Sequence, residues 1–239
     1  MTFASHHTSR AYESELEELR RAIITMGDLC RRALGLALDA FRDRVGEPVA
    51  QVQDLDGRID ASEMAIDALV VRIMALRQPV ASDLRFLAMA LKLVTDLERI
   101  GDEAVNIAER AVDEPCAADA GARDLLGRMA EEAQRMVATA LEAFIAGDTE
   151  RAREVLVRDD VVDELYGRAL RSAEDYMARH PREIQAALAV MSVAKYLERV
   201  ADHATNIAEE VIFVVRGVDV RHGHSTADVG GDSSGARWD

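Results

Sequence analysis

The chain has 239 residues and a formal net charge of −15 at pH 7, with 44 Asp and Glu against 29 Lys and Arg. This charge argues against a nucleic-acid binder, because affinity for a phosphate backbone comes from Lys and Arg. Apolar residues make up 49% of the chain, aromatic residues only 4%, and there are just 14 Gly and 4 Pro. The composition therefore favours an all-α protein of long helices over strands and turns.

Six helices are predicted between breaks at Pro48, Pro79, Pro115, Gly147-Asp148-Thr149 and Pro181. Proline belongs before a helix or in its first turn, glycine can end a helix, and Asp or Thr can cap the next one. The predicted helices cover residues 12–44, 48–77, 81–113, 119–146, 149–178 and 181–216.

Apolar stripes with a 3,4 spacing run along three of these helices, and such stripes bury between antiparallel neighbours joined by short loops. They consist of Val52, Leu55, Ile59, Ile66, Leu69, Ile73 and Leu76 in the second helix, Ala90, Leu93, Leu97, Ile100, Ala104, Ile107 and Ala111 in the third, and Val190, Val193, Leu197, Val200, Ala204, Ile207 and Val211 in the sixth. No apolar run reaches the roughly 18 residues that a membrane-spanning helix needs. The N-terminus lacks a basic region followed by an apolar one. We therefore expect a cytoplasmic protein without direct membrane insertion.

Two cysteines, Cys30 and Cys116, lie far apart in the sequence and outside any CxxC motif. Their spacing supports neither a disulfide scaffold nor a thiolate zinc site.

The chain repeats itself internally. At an offset of 100, residues 97–109 align with residues 197–209, and nine of the 13 positions are identical. At an offset of 103, the segment around Asp56 and Asp60 aligns with the segment around Asp159 and Asp163. Two tandem units of three helices explain both matches. The predicted organisation is a flexible N-terminus (1–11), a first three-helix bundle (12–115), a second three-helix bundle (116–217) and a disordered polar tail (218–239).

Carboxylates fall into register across the hairpin of the second and third helices. Asp60 precedes Pro79 by the same number of residues by which Glu98 follows it, and the same equality holds for Asp56 and Asp102. Since the rise per residue is equal on the two antiparallel helices, Asp60 should lie level with Glu98, and Asp56 with Asp102. Each pair on one helix has i,i+4 spacing and shares a face.

The same square of four carboxylates recurs in the second unit. Asp163 lies before His180 at nearly the same separation at which Glu198 lies after it, and Asp159 and Asp202 are related in the same way. In both pairs the separations differ by one position. Like charges this close call for a compensating cation, and all-oxygen ligation suits hard divalent cations or iron. Asn106 and Asn206, one further turn along, could each add an amide oxygen.

A simpler interpretation is that each acidic row is a solvated helix face relieved by Arg99, Arg110 or Arg199. A single ExxxD motif would favour that interpretation. The duplication, with Asp pairs in register on the neighbouring helix, shifts the balance towards a metal site.

At these residues the chain resembles the PhoU family of phosphate-uptake regulators, over about residues 12–216. The resemblance is carried by Leu97-Glu98-Arg99-Ile100-Gly101-Asp102 and Leu197-Glu198-Arg199-Val200-Ala201-Asp202, which match the family's duplicated E/DxxxD motif. Residues 77–85 resemble the family's link into the third helix, and residues 15–20 add support.

The resemblance implies two three-helix bundles, a homodimer, and metal ions (Fe, Mn, Mg or Zn) on the acidic motifs. The ligands that it implies are Glu98, Asp102, Glu198 and Asp202, with Asn106, Asn206, Asp56, Asp60, Asp159 and Asp163 as further candidates. It also implies a negative regulator that relays the state of the phosphate ABC transporter, through its ATPase, to a membrane sensor histidine kinase. Two departures, His203 in place of Glu103 and a different link after His180, imply that any two metal sites differ in affinity.

We expect no enzyme, because the sequence has no nucleophile-with-base constellation, Walker A loop or GxGxxG motif. Two other classes of protein nevertheless remain open beside a regulator. A carboxylate-bridged metal oxidase or a metal-storage bundle would use Glu-x-x-His, but Met177 and Val200 stand three residues before His180 and His203. A purely structural acidic bundle is the third interpretation.

Overall fold

The computed structural model describes residues 5–43, 47–79, 81–113 and 120–217, and all regular secondary structure in these ranges is α-helical. The six predicted helices and the all-α class are confirmed. The helices are α1 (Ser5–Asp43), α2 (Glu47–Arg77), α3 (Ala81–Asp113), α4 (Ala120–Ala146), α5 (Thr149–Arg179) and α6 (Ile184–Arg216).

Two helix starts differ from the prediction by more than one residue. Helix α1 begins at Ser5 rather than at residue 12, because residues 5–11 contain no Pro or Gly and the helix continues beyond the apolar period used to place it. Helix α6 begins at Ile184 rather than at residue 181, because Pro181 and Arg182 form a turn and Glu183 is the N-cap. Cys116 and the predicted polar tail lie outside the described residues.

The break between α4 and α5 has the predicted chemistry. Gly147 adopts a left-handed φ of 60° after the last turn of α4. Asp148 then caps α5, because its Oδ1 accepts hydrogen bonds from the backbone N–H groups of Glu150 (2.9 Å) and Arg151 (3.2 Å). The short connection allows α4 and α5 to pack as antiparallel neighbours.

Each repeat forms a three-helix bundle, with α1, α2 and α3 joined in the first and α4, α5 and α6 in the second. The two bundles join mainly through the contact of α3 with α6, called the seam below, and α1 also touches α4. Helices α3 and α6 run antiparallel along the seam. Lys92 pairs with Glu210 (2.8 Å) near one end, and Arg199 pairs with Glu103 (3.1 Å) further along.

The predicted apolar stripes form much of the core. Leu93, Leu97 and Ile100 of α3 have no exposed surface, and neither do Leu197 and Val200 of α6. Burying each such side chain stabilises the fold by about 1.5–3 kcal/mol. The predicted stripe of the second helix extends one position too far, because Leu76, in the last turn of α2, is 66% exposed.

Candidate metal centre

The hairpin of α2 and α3 gathers five carboxylates, called the first acidic cluster: Asp56, Asp60 and Glu63 on α2, and Glu98 and Asp102 on α3. The grouping agrees with the predicted register, since the charge of Asp102 acts on Asp56, and the charges of Glu63 and then Asp60 act on Glu98. Sequence reasoning missed Glu63. Its signal was available, because Glu63 lies as many residues before Pro79 as Thr95 lies after it, and Thr95 Oγ1 is 3.4 Å from Glu63 Oε1.

Burial and mutual repulsion make the charged form of this cluster costly. Burial, with smaller contributions from Asp60 and Asp102, raises the pKa of Asp56 to about 6. Burial also raises the pKa of Glu98, and the nearby charge of Asp102 adds to the effect. A bound cation would offset both the repulsion and the desolvation.

Two carboxylate oxygens of the first acidic cluster are buried and accept no hydrogen bond among the described residues, namely Asp56 Oδ1 and Glu98 Oε2. Arg99 is the nearby cation, with Nε 3.3 Å from Glu98 Oε2 and Nη1 3.0 Å from Asp102 Oδ2. Glu98 Oε2 thus has Arg99 as its countercharge, whereas Asp56 Oδ1 is a buried acceptor without a donor, which is costly and suits a cation.

Gly101 allows α2 to approach α3 at this level. A Cβ atom at position 101 would lie 2.9 Å from Asp56 Oδ1 and 3.0 Å from Ile59 Cδ1, both closer than ordinary van der Waals contact. The absence of a side chain therefore leaves room for the Asp56 carboxylate against the backbone of α3.

The second acidic cluster consists of Asp159 and Asp163 on α5 and Glu198 and Asp202 on α6. Burial raises the pKa of Asp159 to about 6, and the nearby charges of Asp163 and Asp202 add to the effect. Burial followed by the charge of Glu198 raises the pKa of Asp202. The hairpin of α5 and α6 thus repeats the arrangement of the first acidic cluster, as the register predicted.

The two asparagines belong to the seam. Asn106 Nδ2 donates to Glu103 Oε2 (3.1 Å), and Asn206 Nδ2 donates across the seam to Asp96 Oδ1 (3.0 Å). His203 Nδ1 lies 2.9 Å from the same oxygen of Asp96. The structure therefore brings eight of the ten predicted ligands into the two clusters and directs the amides of Asn106 and Asn206 elsewhere. A metal role for these asparagines stays a prediction.

The donor chemistry of both clusters fits a hard cation, because every candidate in them is a carboxylate. The buried oxygen Asp56 Oδ1, which has no donor among the described residues, supports that fit. Within residues 5–43, 47–79, 81–113 and 120–217, however, no three Asp, Glu, His or Cys side chains converge closely enough to hold one ion as they stand. Metal binding would require these side chains to turn inward, and it stays a prediction.

Comparison with known proteins identifies the fold and its duplication. The PhoU domain matches the chain twice, at residues 23–111 and 126–211. The chain belongs to the PhoU family. The phosphate-specific transport system accessory protein PhoU homologue of Pseudomonas aeruginosa is 41% identical over 220 residues, which are 91% of this chain and 90% of that protein. The PhoU homologue of Caulobacter vibrioides is 35% identical over 229 residues, covering 94% and 98%.

Solved structures agree with this assignment. The crystal structure of PhoU from Pseudomonas aeruginosa superposes with a TM-score of 0.84 at 39% identity and covers 87% of this chain and 100% of that one. The phosphate transport system regulatory protein PhoU from Streptococcus pneumoniae gives a TM-score of 0.80 at 26% identity, covering 87% and 99%. These PhoU proteins are named as accessory or regulatory proteins. In the part of the chain that the structure describes, no helix is long and apolar enough to span a membrane.

Proposed function

We propose that this protein is a cytoplasmic, non-enzymatic regulator of phosphate uptake that restrains phosphate-starvation signalling. It acts as an adaptor between the ATPase of the phosphate ABC transporter and a membrane sensor histidine kinase. The observation that carries the proposal is 41% identity, over 91% of the chain, to an accessory protein of a phosphate-specific transport system. The charge of −15 supports a docking role, because direct capture of free phosphate by so acidic a protein is electrostatically unfavourable.

Metal binding on the acidic clusters is part of this proposal. Asp56, Asp60, Glu98 and Asp102 would hold a cation in the first repeat, and Asp159, Asp163, Glu198 and Asp202 in the second. A bound Fe, Mn, Mg or Zn ion would neutralise repelling carboxylates and cross-link the two helices of each hairpin. A metal ion bound at an acidic cluster could also bind an anion and so bridge it to the protein.

Binding experiments with the purified partners test the adaptor role. The full chain, carrying an affinity tag, is mixed with the transporter ATPase and, separately, with the cytoplasmic part of the sensor kinase. We expect both partners to be retained, and we expect homodimers by sedimentation. A matched variant, Asp56→Asn with Glu98→Gln and Asp102→Asn, reports whether the first acidic cluster contributes. Retention of neither partner would overturn the adaptor function.

A further inference from the structure

Helix α2 carries an apolar face that points away from the rest of the protein. Among the described helices, α2 packs against α1 and α3. On its opposite side Met64, Val71 and Leu76 are 66%, 61% and 66% exposed. Exposed alanines complete this surface, called the α2 outer face below: Ala61, Ala65, Ala68 and Ala75. Contiguous exposed apolar surface of this kind marks an interaction site.

The spacing of the α2 outer face indicates that its partner is a helix. Ala61, Met64, Ala68, Val71 and Ala75 follow a 3,4,3,4 spacing, which is the seam of a coiled coil. The alanines recur at every seventh position, and small side chains at a helix contact let the two helix axes come close. The α2 outer face is therefore suited to one helix lying along α2.

The second repeat has no such face. Helix α5 occupies the place of α2 in the second bundle, and the offset of 103 aligns the two helices. The positions of α5 that correspond to the α2 outer face hold mostly charged residues, namely Glu164, Gly167, Arg168, Arg171, Glu174, Ala178 and Arg179. Since the same bundle forms with a polar helix at this place, folding alone does not account for the apolar residues on α2.

The two edges of the α2 outer face carry opposite charges. At about 100° per residue, Asp60 and Asp67 lie along one edge of the stripe, and Arg58 and Arg72 lie along the other. Arg72 pairs with Glu18 at 3.8 Å, and both side chains are more than half exposed. So loose a pair holds Arg72 weakly and leaves it able to turn towards another carboxylate.

This arrangement of charges is complementary to itself in one orientation. A two-fold axis parallel to α2 brings the acidic edge of one copy against the basic edge of the other, and it does so on both sides of the contact. Asp67 then faces Arg72 of the partner subunit, because a separation of five residues is that of the flanking ion pairs in a parallel coiled coil. Antiparallel packing would instead bring the two acidic edges together. The charges therefore favour a second copy of this chain with its α2 parallel to the first.

We infer that two copies of this protein associate through their α2 outer faces, with the two α2 helices parallel. The inference deepens the proposed function, which includes a homodimer, by assigning the surface that forms it. Met64 and Val71 lie near the two-fold axis and lose their contact with water, which drives association. The pairs of Asp67 with Arg72 of the partner subunit flank this contact and set its orientation.

Sedimentation of the full chain tests the apolar part of the interface. We expect the wild type to be a dimer. The variant carrying Met64→Glu and Val71→Glu should raise the dissociation constant of the dimer at least about hundredfold, because four carboxylates would enter a desolvated contact. Val157→Glu with Val161→Glu is the matched control, since these residues of α5 are also exposed, at 69% and 45%, and it should stay dimeric. Circular dichroism melts establish that each variant is folded.

A charge exchange tests the parallel orientation. Asp67→Arg and Arg72→Asp should each weaken the dimer, because each variant alone sets like charges opposite one another. Mixed together, the two variants should associate with each other at about the affinity of the wild type, because every pair across the interface is then of opposite charge. Failure of the mixture to associate would overturn the parallel pairing.

The remaining outcomes separate this inference from the proposed function. A wild-type monomer would overturn the inference together with the homodimer, and the adaptor role would still be judged by binding of the transporter ATPase and the sensor kinase. An unchanged dimer in the Met64→Glu, Val71→Glu variant would overturn the interface alone. If that dimeric variant also failed to retain one of the two purified partners, the α2 outer face would belong to that partner and not to a second copy.

Discussion

At the level of single residues, Gly101 determines how closely Asp56 lies to α3. Gly101→Ala should lower the free energy of unfolding by about 1 kcal/mol, because the contacts of 2.9 Å and 3.0 Å from its Cβ outweigh the gain in helix propensity. Gly57→Ala and Gly127→Ala are matched controls, since a Cβ at either position meets nothing within 4 Å. Both controls should gain about 0.5–1 kcal/mol. Urea denaturation measures all three, and equal stabilities of the Gly101→Ala and Gly57→Ala variants would contradict the crowding argument.

The raised pKa values of Asp56 and Asp159 predict that the folded protein becomes more stable as the pH falls towards 5. Burial, with neighbouring charges, raises each pKa to about 6 in the folded protein, whereas an unfolded Asp has a pKa of about 3.9. The folded state therefore binds more protons between these values, and the free energy of unfolding rises as the pH falls from 7 to 5. We expect about 1 kcal/mol from the two groups together, after discounting for their partial exposure.

Urea denaturation of chelator-treated protein at pH 7 and pH 5 measures this effect. The variant carrying Asp56→Asn and Asp159→Asn should lose the gain, because neither amide titrates. A wild-type protein that is less stable at pH 5, or a double variant with an unchanged pH dependence, would contradict the assignment.

At the level of helices, the seam depends on a buried ion pair. Glu103 is 6% exposed, and Arg199 of the other repeat lies 3.1 Å from its Oε1. Arg199→Met should lower the free energy of unfolding by about 1–3 kcal/mol, because it leaves a buried carboxylate without its cation. Arg21→Met is the control, since Arg21 and Glu17 are both exposed and 3.7 Å apart, and it should change stability by less than about 0.5 kcal/mol. Equal losses in thermal or urea denaturation would argue against the pair.

The hairpins are predictable from sequence, whereas the seam is not. Counting residues from Pro79 places Asp60 level with Glu98, because antiparallel helices share one rise per residue. The same i,i+4 spacing groups Asn106 with Glu98 and Asp102, but each such step turns about 40° around an α-helix. Two steps carry Asn106 out of the hairpin and into the seam, where it bonds to Glu103. The apolar stripes give no sign of the pairing of α3 with α6, since they carry no information on which bundle faces which.

At the level of the whole molecule, metal binding should be visible as stability. Mn²⁺ at about 100 times its dissociation constant should raise the free energy of unfolding by about 2.7 kcal/mol per site. The Asp56→Asn, Glu98→Gln, Asp102→Asn variant should show little of this gain. Ionic strength is held constant, because a chain with a net charge of −15 is also stabilised by general screening. An identical shift in the variant would assign the effect to screening rather than to the first acidic cluster.

Because buried Glu103 pairs with Arg199 of the second repeat and buried Glu210 pairs with Lys92 of the first, neither half of the chain carries all the countercharges that its own buried surface needs. The same holds for Asp96, whose contacts His203 and Asn206 both come from the second repeat. Severing the covalent connection between the repeats would yield two fragments that are poorly soluble apart. Co-expressed, they should reassociate by complementation, since the recognition between them is encoded in side chains rather than in the linker.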